Sequence, residues 1–434
     1  MVGLLYLCEG HVDVSDLPKL NSQSSYHLAR RMSTDILGHR RIIEAAIEQG
    51  NGILRLEPAW VARDFLPTAG RLGLTEDQYN VGERGVICER WLASTTRADN
   101  KVDVPDEGLS FLSLQSNERI TLKEAVEVAG PSIMGKKYAA THPGLDRLAK
   151  LFDFAHRLPY HLHQMKQHAA LVGRNSKEEA YYFPEGVAMG NEPESYFGIH
   201  PSIAEQKQYD VILRHLEDWN SDRILCHSRA YRLVPGDGFH VPAGIMHAPG
   251  SALTLELQED SDVFAMLQAL VGGKIIPKDL LFKDVRPEDR KRYGERAILD
   301  MIDWDTNGDH YFYENRHTPP ILIDKNVQPG GEESWIFYNT NRFSGKRLVV
   351  SPGKKFESAD DGVLNLLVWR GKGYFDGQEI EAGNTGLDEL LVCHEKATMP
   401  TVVENTGSVD LVIFKFFGPD VNKNVPMLPK YPEE

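Results

Sequence analysis

The sequence predicts a mainly β chain, built as barrels or sandwiches with a few helices. Two observations carry this. From about residue 343 the chain is almost purely short strands: KRLVVSPGKKF, GVLNLLVWRGKGYFDGQEIEAG, DELLVCHE, PTVVENTG and DLVIFKFFG follow one another, punctuated by Gly, Pro, Asn and Asp. Short apolar runs at close spacing with turn signals between them are the pattern of a sandwich or small barrel. Upstream, DGFHVPAGIMHAPGS sets Pro242 and Gly244 after an apolar run. Proline fixes φ and lacks an N–H, so it suits a strand end or edge. Glycine supplies a turn at positive φ or a close backbone approach. His247 then starts the next strand, and a rigid hairpin presents one imidazole.

Along the chain, MVGLLYLCEGHVDV is a short apolar run without a basic flank, interrupted by Glu9; it reads as a buried strand and not as a signal peptide. RRIIEAAIEQG places Ile42, Ile43, Ala46 and Ile47 on one helical face and stops at Gly50. ITLKEAVEVAG opens with a Thr121-x-x-Glu124 capping box and is expected to end on Gly130. AEQKQYDVILRHLEDW spaces Tyr209, Ile212, Leu213, Leu216 and Trp219 along one stripe. A polar connector runs from about 275 to 330, with a domain boundary near 325. Three regions result: residues 1–80 as an N-terminal extension packing on the barrel, 81–325 as a β domain with a helical insertion and the connector, and 326–434 as a C-terminal β-barrel. LRLEPAWVARDFLP, in the extension, is placed over one barrel end.

Composition narrows the class. The 434 residues are 41% hydrophobic and 26% charged, with a net charge of −15. That field disfavours nucleic acid or an anionic membrane as partner. No window offers the 18 apolar residues of a membrane span. Cys8, Cys88, Cys226 and Cys393 lie far apart, which fits reduced thiols in a cytoplasmic protein.

The spacing around His247 is informative. Gly236, five residues, Pro242, one residue, Gly244, two residues and His247 match the second cupin motif, with Ser251 where Asn is usual. The first motif is found upstream in YHLHQMKQHAALVGRNSKEEAYYFPEG: His161 and His163 alternate onto one face of a strand, and Glu179, six residues and Gly186 follow a loop. The fold expected is therefore cupin (double-stranded β-helix, or jelly-roll) barrels, two in tandem, with a helical insertion. Three imidazoles and a carboxylate offer N and O donors for one divalent metal ion. Zinc leads; manganese, iron, cobalt and nickel also fit.

The chain further resembles the type I mannose-6-phosphate isomerases. LDRLAKLFDFAHRLPYHLHQ, SKEEAYYF, VPGDGFHVPAGIMHAPG and ERWLAST are similar, in order, to stretches of that family, with interruptions from about residue 85 to 262. The resemblance implies that His163, Glu179 and His247 are metal ligands and that Lys177 is an active-site lysine. Two departures stand out. His161 replaces the family's Gln, and Met266 takes the place of an arginine that acts at the substrate. A thioether can neither pair with a phosphate nor stabilise an enediolate oxygen as a guanidinium can. Phosphate is thus in question as a substrate feature, and an arginine from the 286–316 segment could substitute.

The function expected is a metal-dependent aldose–ketose isomerase acting on a sugar or sugar phosphate through an enediol. Two alternatives stay open: a three-His, one-Glu oxygenase or oxidase, and a non-catalytic sugar-binding cupin. A homo-oligomer is compatible with the sequence. Other residues have plainer roles. His240 faces the cavity or the barrel wall, His168 and His200 are loop or surface histidines, and Tyr181 and Tyr182 belong to strand core, one of them on the Glu179 face. Asp303 to Glu314, DWDTNGDHYFYE, satisfies the calcium-loop pattern, but prolines follow where an exit helix is needed, which favours an acidic turn. SPGKKFESADDG lacks histidine and His394 stands alone, so the C-terminal barrel is expected to hold no metal.

Overall fold

The computed structural model describes residues 37–432, so the MVGLLYLCEGHVDV run and Cys8 lie outside the described residues. The chain is mainly β, and among the described residues the main strands pair antiparallel in four large sheets and one hairpin. The six-stranded sheet runs, in spatial order, Gly238–Val241, Glu179–Tyr182, Thr254–Gln258, Leu148–Phe152, Val86–Leu92 and Ala59–Arg63. A five-stranded sheet, Ala265–Met266, His161–Leu162, His247–Ala248, Glu194–Ile199 and Ser228–Arg232, faces it. One core fills the space between them, with Phe152, Tyr181 and Phe239 from one sheet and Leu162, Phe197 and Ala248 from the other.

A second pair of sheets follows the same logic. An eight-stranded sheet built around Ser344–Val350, Leu411–Phe417 and Leu364–Arg370 shares a core with a four-stranded sheet, through Leu348, Leu366 and Ile413 against Phe356, Phe375 and Val403. The outer faces of the six- and eight-stranded sheets meet in a third core, where Tyr182 packs edge-on against Phe337 and Phe414. Consecutive strand residues point to opposite faces, so Tyr181 serves the first core and Tyr182 the junction. Ile53–Glu57 pairs with Glu389–Val392 in the eight-stranded sheet, whereas Ala59–Arg63 pairs with Val86–Leu92 in the six-stranded one. Pro58 separates the two, and it cannot donate to a ladder.

The helices agree with the apolar spacing, with two adjustments. Residues 37–49 are helical; Ile43 is buried and Ile42, Ala46 and Ile47 pack beside it. Thr121 caps Leu122–Met134 by accepting from the Glu124 N–H at 3.1 Å. Gly130 does not end that helix: the chain kinks at Ala129, Pro131 opens the next turn, and Gly135 at φ 82° terminates it. Proline is tolerated there because first-turn N–H groups lack intrahelical partners. The expected Ala204–Trp219 stripe is split into Pro201–Glu205 and Asp210–Asp218, with Ile212, Leu213 and Leu216 buried. Among the described residues no helix is long and apolar enough to cross a membrane, and Cys88, Cys226 and Cys393 are free thiols.

Candidate metal centre

The two motifs meet inside the first pair of sheets. His247 and His161 are register partners on adjacent strands, and His163 follows two residues on. Glu179 enters from the facing sheet as the first residue of its strand. One ligand atom each from His161, His163 and His247 lies within 4.8 Å of the others, and all three side chains are buried. The Glu179 carboxylate closes the set, with Oε2 3.0 Å from His163 Nε2 and Oε1 2.9 Å from His247 Nε2.

The Pro-x-Gly-x-x-His hairpin is held as its sequence requires. Gly244 adopts φ 85°, a region costly for residues with a Cβ. Its N–H donates to the His163 carbonyl at 2.8 Å, tying one ligand's backbone to the other's hairpin. A Cβ here would sit 3.1 Å from both Asp303 Cβ and Met165 Cγ. Asp303 belongs to the segment with the calcium-loop pattern, and the polar residues of that segment are committed elsewhere. The Asp303 carboxylate caps Trp304–Asn307, accepting from the Thr306 N–H and hydroxyl. Fully buried Asn307 accepts from the Met246 N–H at 2.9 Å and donates to the Gly244 carbonyl at 2.8 Å. The segment thus clamps the hairpin that presents His247.

The electrostatics prepare the imidazoles for a metal. Nδ1 of His161, His163 and His247 lies 2.6, 2.7 and 2.8 Å from the carbonyls of Pro159, Val263 and Ile245. A carbonyl only accepts, so each Nδ1 carries a proton, which leaves Nε2 as the nitrogen available to a metal. The Nε2 atoms of His163 and His247 and Oε2 of Glu179 are buried without hydrogen-bond partners, despite their short separations. Burial, with the neighbouring imidazoles, pushes His161 well below its ordinary value; burial and Lys177 push His163 down to about 4. Burial alone would raise Glu179, but Lys177 and the imidazoles outweigh it and hold the carboxyl well below the usual range. Three imidazoles and a carboxylate, with buried unpartnered N and O atoms converging on one point, fit a divalent cation.

A small cavity of about 50 Å³ opens beside these residues. Lys177 lines it, buried, with Nζ 3.0 Å from Glu179 Oε2 and 3.5 Å from Glu256 Oε1. Met266 lines it too, as register partner of His161. Sequence reasoning missed four ionisable lining residues besides Glu256: Arg63, Glu89, Lys150 and Asp262. Glu256 is buried, its Oε1 has no hydrogen-bond partner, and burial raises its carboxyl to about 7 against the pull of Lys150 and Lys177. In TLELQ the polar Thr254, Glu256 and Gln258 alternate with leucines, a pattern that by itself reads as a solvent-facing side, yet all five residues are buried, so the polar side is an interior face. Arg63, from the stretch expected to cover a barrel end, was hidden because that stretch has no motif. No arginine of the 286–316 segment lines the cavity.

The remaining residues have supporting places. His240 points away from the cavity, bonded to Glu178 at 2.9 Å and Asn339 at 3.2 Å. His168 is half-buried on a short helix and His200 pairs with Ser202 at the surface. The Tyr181 hydroxyl donates to Glu179 Oε1. Ser251, at the usual Asn position, accepts from the Glu192 N–H at 2.9 Å.

No family model and no curated protein matches the chain. Solved structures do. The mannose 6-phosphate isomerase from Bacillus subtilis aligns at TM-score 0.58 and 16% identity, over 84% of this chain and 99% of that one. A variant of the phosphomannose isomerase from Salmonella typhimurium aligns at TM-score 0.54 and 12% identity, over 85% and 100%. A zinc-bound mannose 6-phosphate isomerase gives the same values. At these identities it is architecture that is shared: the chain has the cupin-type fold of the mannose-6-phosphate isomerases.

Proposed function

We propose that this chain is a metal-dependent aldose–ketose isomerase working through an enediol, with His161, His163, Glu179 and His247 as ligands of one divalent ion. Zinc leads among candidate ions, given the zinc-bound structural neighbour. Held there, the ion would supply Lewis acidity toward sugar oxygens. The observation that carries the proposal is the acid–base pair on the cavity wall. Glu256 is buried on the cavity wall with one carboxylate oxygen unpartnered, and burial raises its carboxyl, so it is placed to take a proton from one carbon and return it to the neighbour. Lys177, with Nζ 3.0 Å from Glu179 and 3.5 Å from Glu256, is placed to donate to the oxygen that gains negative charge. Burial of both groups strengthens these interactions.

Three histidines and a glutamate also suit iron- or manganese-dependent oxygen chemistry, and Glu256 beside Lys177 favours the isomerase. The experiment is proton exchange in D₂O with metal-stripped and metal-restored protein, over a panel of aldoses, ketoses and their 6-phosphates. Metal-dependent deuterium incorporation at C2 supports the proposal. Stoichiometric metal with no exchange, or turnover that consumes oxygen, overturns it.

A further inference from the structure

The cavity holds three cations, Arg63, Lys150 and Lys177, and four carboxylates, Glu89, Glu179, Glu256 and Asp262. None of the cations is free. Arg63 Nε lies 2.7 Å from Glu89 and Nη2 3.3 Å from Asp262, while Nη1 donates to Asn100 at 2.8 Å. Lys150 Nζ sits between Glu256 at 3.2 Å and Glu89 at 3.6 Å. Lys177 sits between Glu179 and Glu256. Three lining residues are partly exposed, the apolar Phe65 and Leu158 and the carboxylate Asp262, and the rest are buried. Lys283, whose Nζ lies 4.3 Å over the Phe264 ring, is itself held by Asp99 at 3.1 Å and Asp284 at 3.4 Å.

We propose that the cavity takes the reacting end of an uncharged hydroxycarbonyl compound, a free aldose or ketose whose remaining carbons lie along the rim, and discriminates against sugar phosphates; this rests on the isomerase reading above. A phosphate dianion would have to displace a carboxylate from its cation and leave that carboxylate buried and unpaired, a strongly unfavourable exchange. The rim, apolar apart from the Asp262 carboxylate, gives it no cation as alternative partner, whereas aromatic and aliphatic surface suits the C–H face of a neutral sugar. Met266 completes the pattern, as a thioether where a guanidinium would have offered a free charge.

The test uses the full chain loaded with Mn²⁺ and measures paramagnetic relaxation of ligand protons for sorbitol and sorbitol 6-phosphate, which need no turnover. Sorbitol is expected to bind the more tightly, by on the order of 100-fold. Equal or tighter binding of the phosphate, or no binding of either polyol, overturns the proposal. Asp262→Asn releases one partner of Arg63 and should shrink the discrimination by about tenfold or more, with Mn²⁺ stoichiometry as the check on folding. Glu89→Gln serves if that variant does not fold. Unchanged discrimination in a folded variant counts against committed cations as its cause and overturns the proposal. Proton exchange in D₂O, run in parallel, separates the two readings. Exchange of mannose 6-phosphate but not mannose sinks the neutral-sugar proposal and spares the isomerase. Preferential sorbitol binding without exchange of any sugar does the reverse.

Discussion

His161 and His247 are register partners on neighbouring antiparallel strands, with ring centroids 4.1 Å apart. Directly opposed residues of an antiparallel pair share a face, so this one pairing brings two motifs distant in sequence to a single point. His163 is then fixed by its own carbonyl, which accepts from Gly244 in the hairpin before His247. The geometry of the centre therefore depends on a few backbone bonds that can be broken one at a time.

Gly244→Ala tests the hairpin. Its φ of 85° and the 3.1 Å approaches to Asp303 and Met165 disfavour any Cβ. The variant should lose roughly 1–2 kcal/mol of stability and bind metal more weakly, as read by denaturant unfolding and a zinc titration. Wild-type values in both would show that the hairpin tolerates an ordinary residue.

Asn307→Ala removes the acceptor of the buried Met246 N–H and a donor to Gly244. The expected loss is about 3 kcal/mol, because a buried donor left without a partner costs more than an average hydrogen bond contributes. Calcium should have no effect on the melting temperature of the parent protein, since Asp303 and Asn307 already serve the cap and the hairpin. A calcium-dependent rise would contradict that assignment.

These two residues also mark where the sequence was legible. The β class, the cupin order of motifs and the convergence of His161, His163, Glu179 and His247 could be read from period-2 alternation and fixed spacings, which are local signals. Asn307 could not: its role is a long-range bond, and its own neighbourhood reads as a cation loop. Arg63 and Glu256 were hidden for a related reason. Each sits on an ordinary strand, and only closure of the sheets turns the polar side of that strand into a cavity wall. The Gly130 stop failed because Pro131 can open a new turn, which a C-terminal glycine signal does not reveal.

Acid stability follows from buried carboxylates away from the metal ligands. Glu89 is lowered from 4.5 to about 2, burial being outweighed by Arg63 and Lys150; Asp360 is lowered from 3.8 to about 2 by Lys415 and Lys346 against burial. Groups depressed in the folded state contribute stability above their unfolded values and lose it as pH falls through the folded ones. The protein should therefore lose on the order of 2 kcal/mol per group between about pH 4.5 and 2. Glu89→Gln should make that limb shallower in denaturant unfolding at a series of pH values; an unchanged limb would remove Glu89 from the account.

Glu256→Gln separates chemistry from metal binding. It keeps the shape of the side chain and abolishes its titration, so proton exchange should fall about 100- to 10,000-fold while metal stoichiometry stays at wild type. Lys177→Met should also lower exchange. Full activity in Glu256→Gln would place the base elsewhere.

The most direct measurement is metal content after dialysis against zinc, by elemental analysis of the full chain and of His247→Ala and Glu179→Gln. One ion per chain in the parent protein, and affinity weakened at least about 100-fold in both variants, is the predicted result. A parent protein that holds no ion, or variants that hold it as tightly, would contradict a metal centre at these four residues.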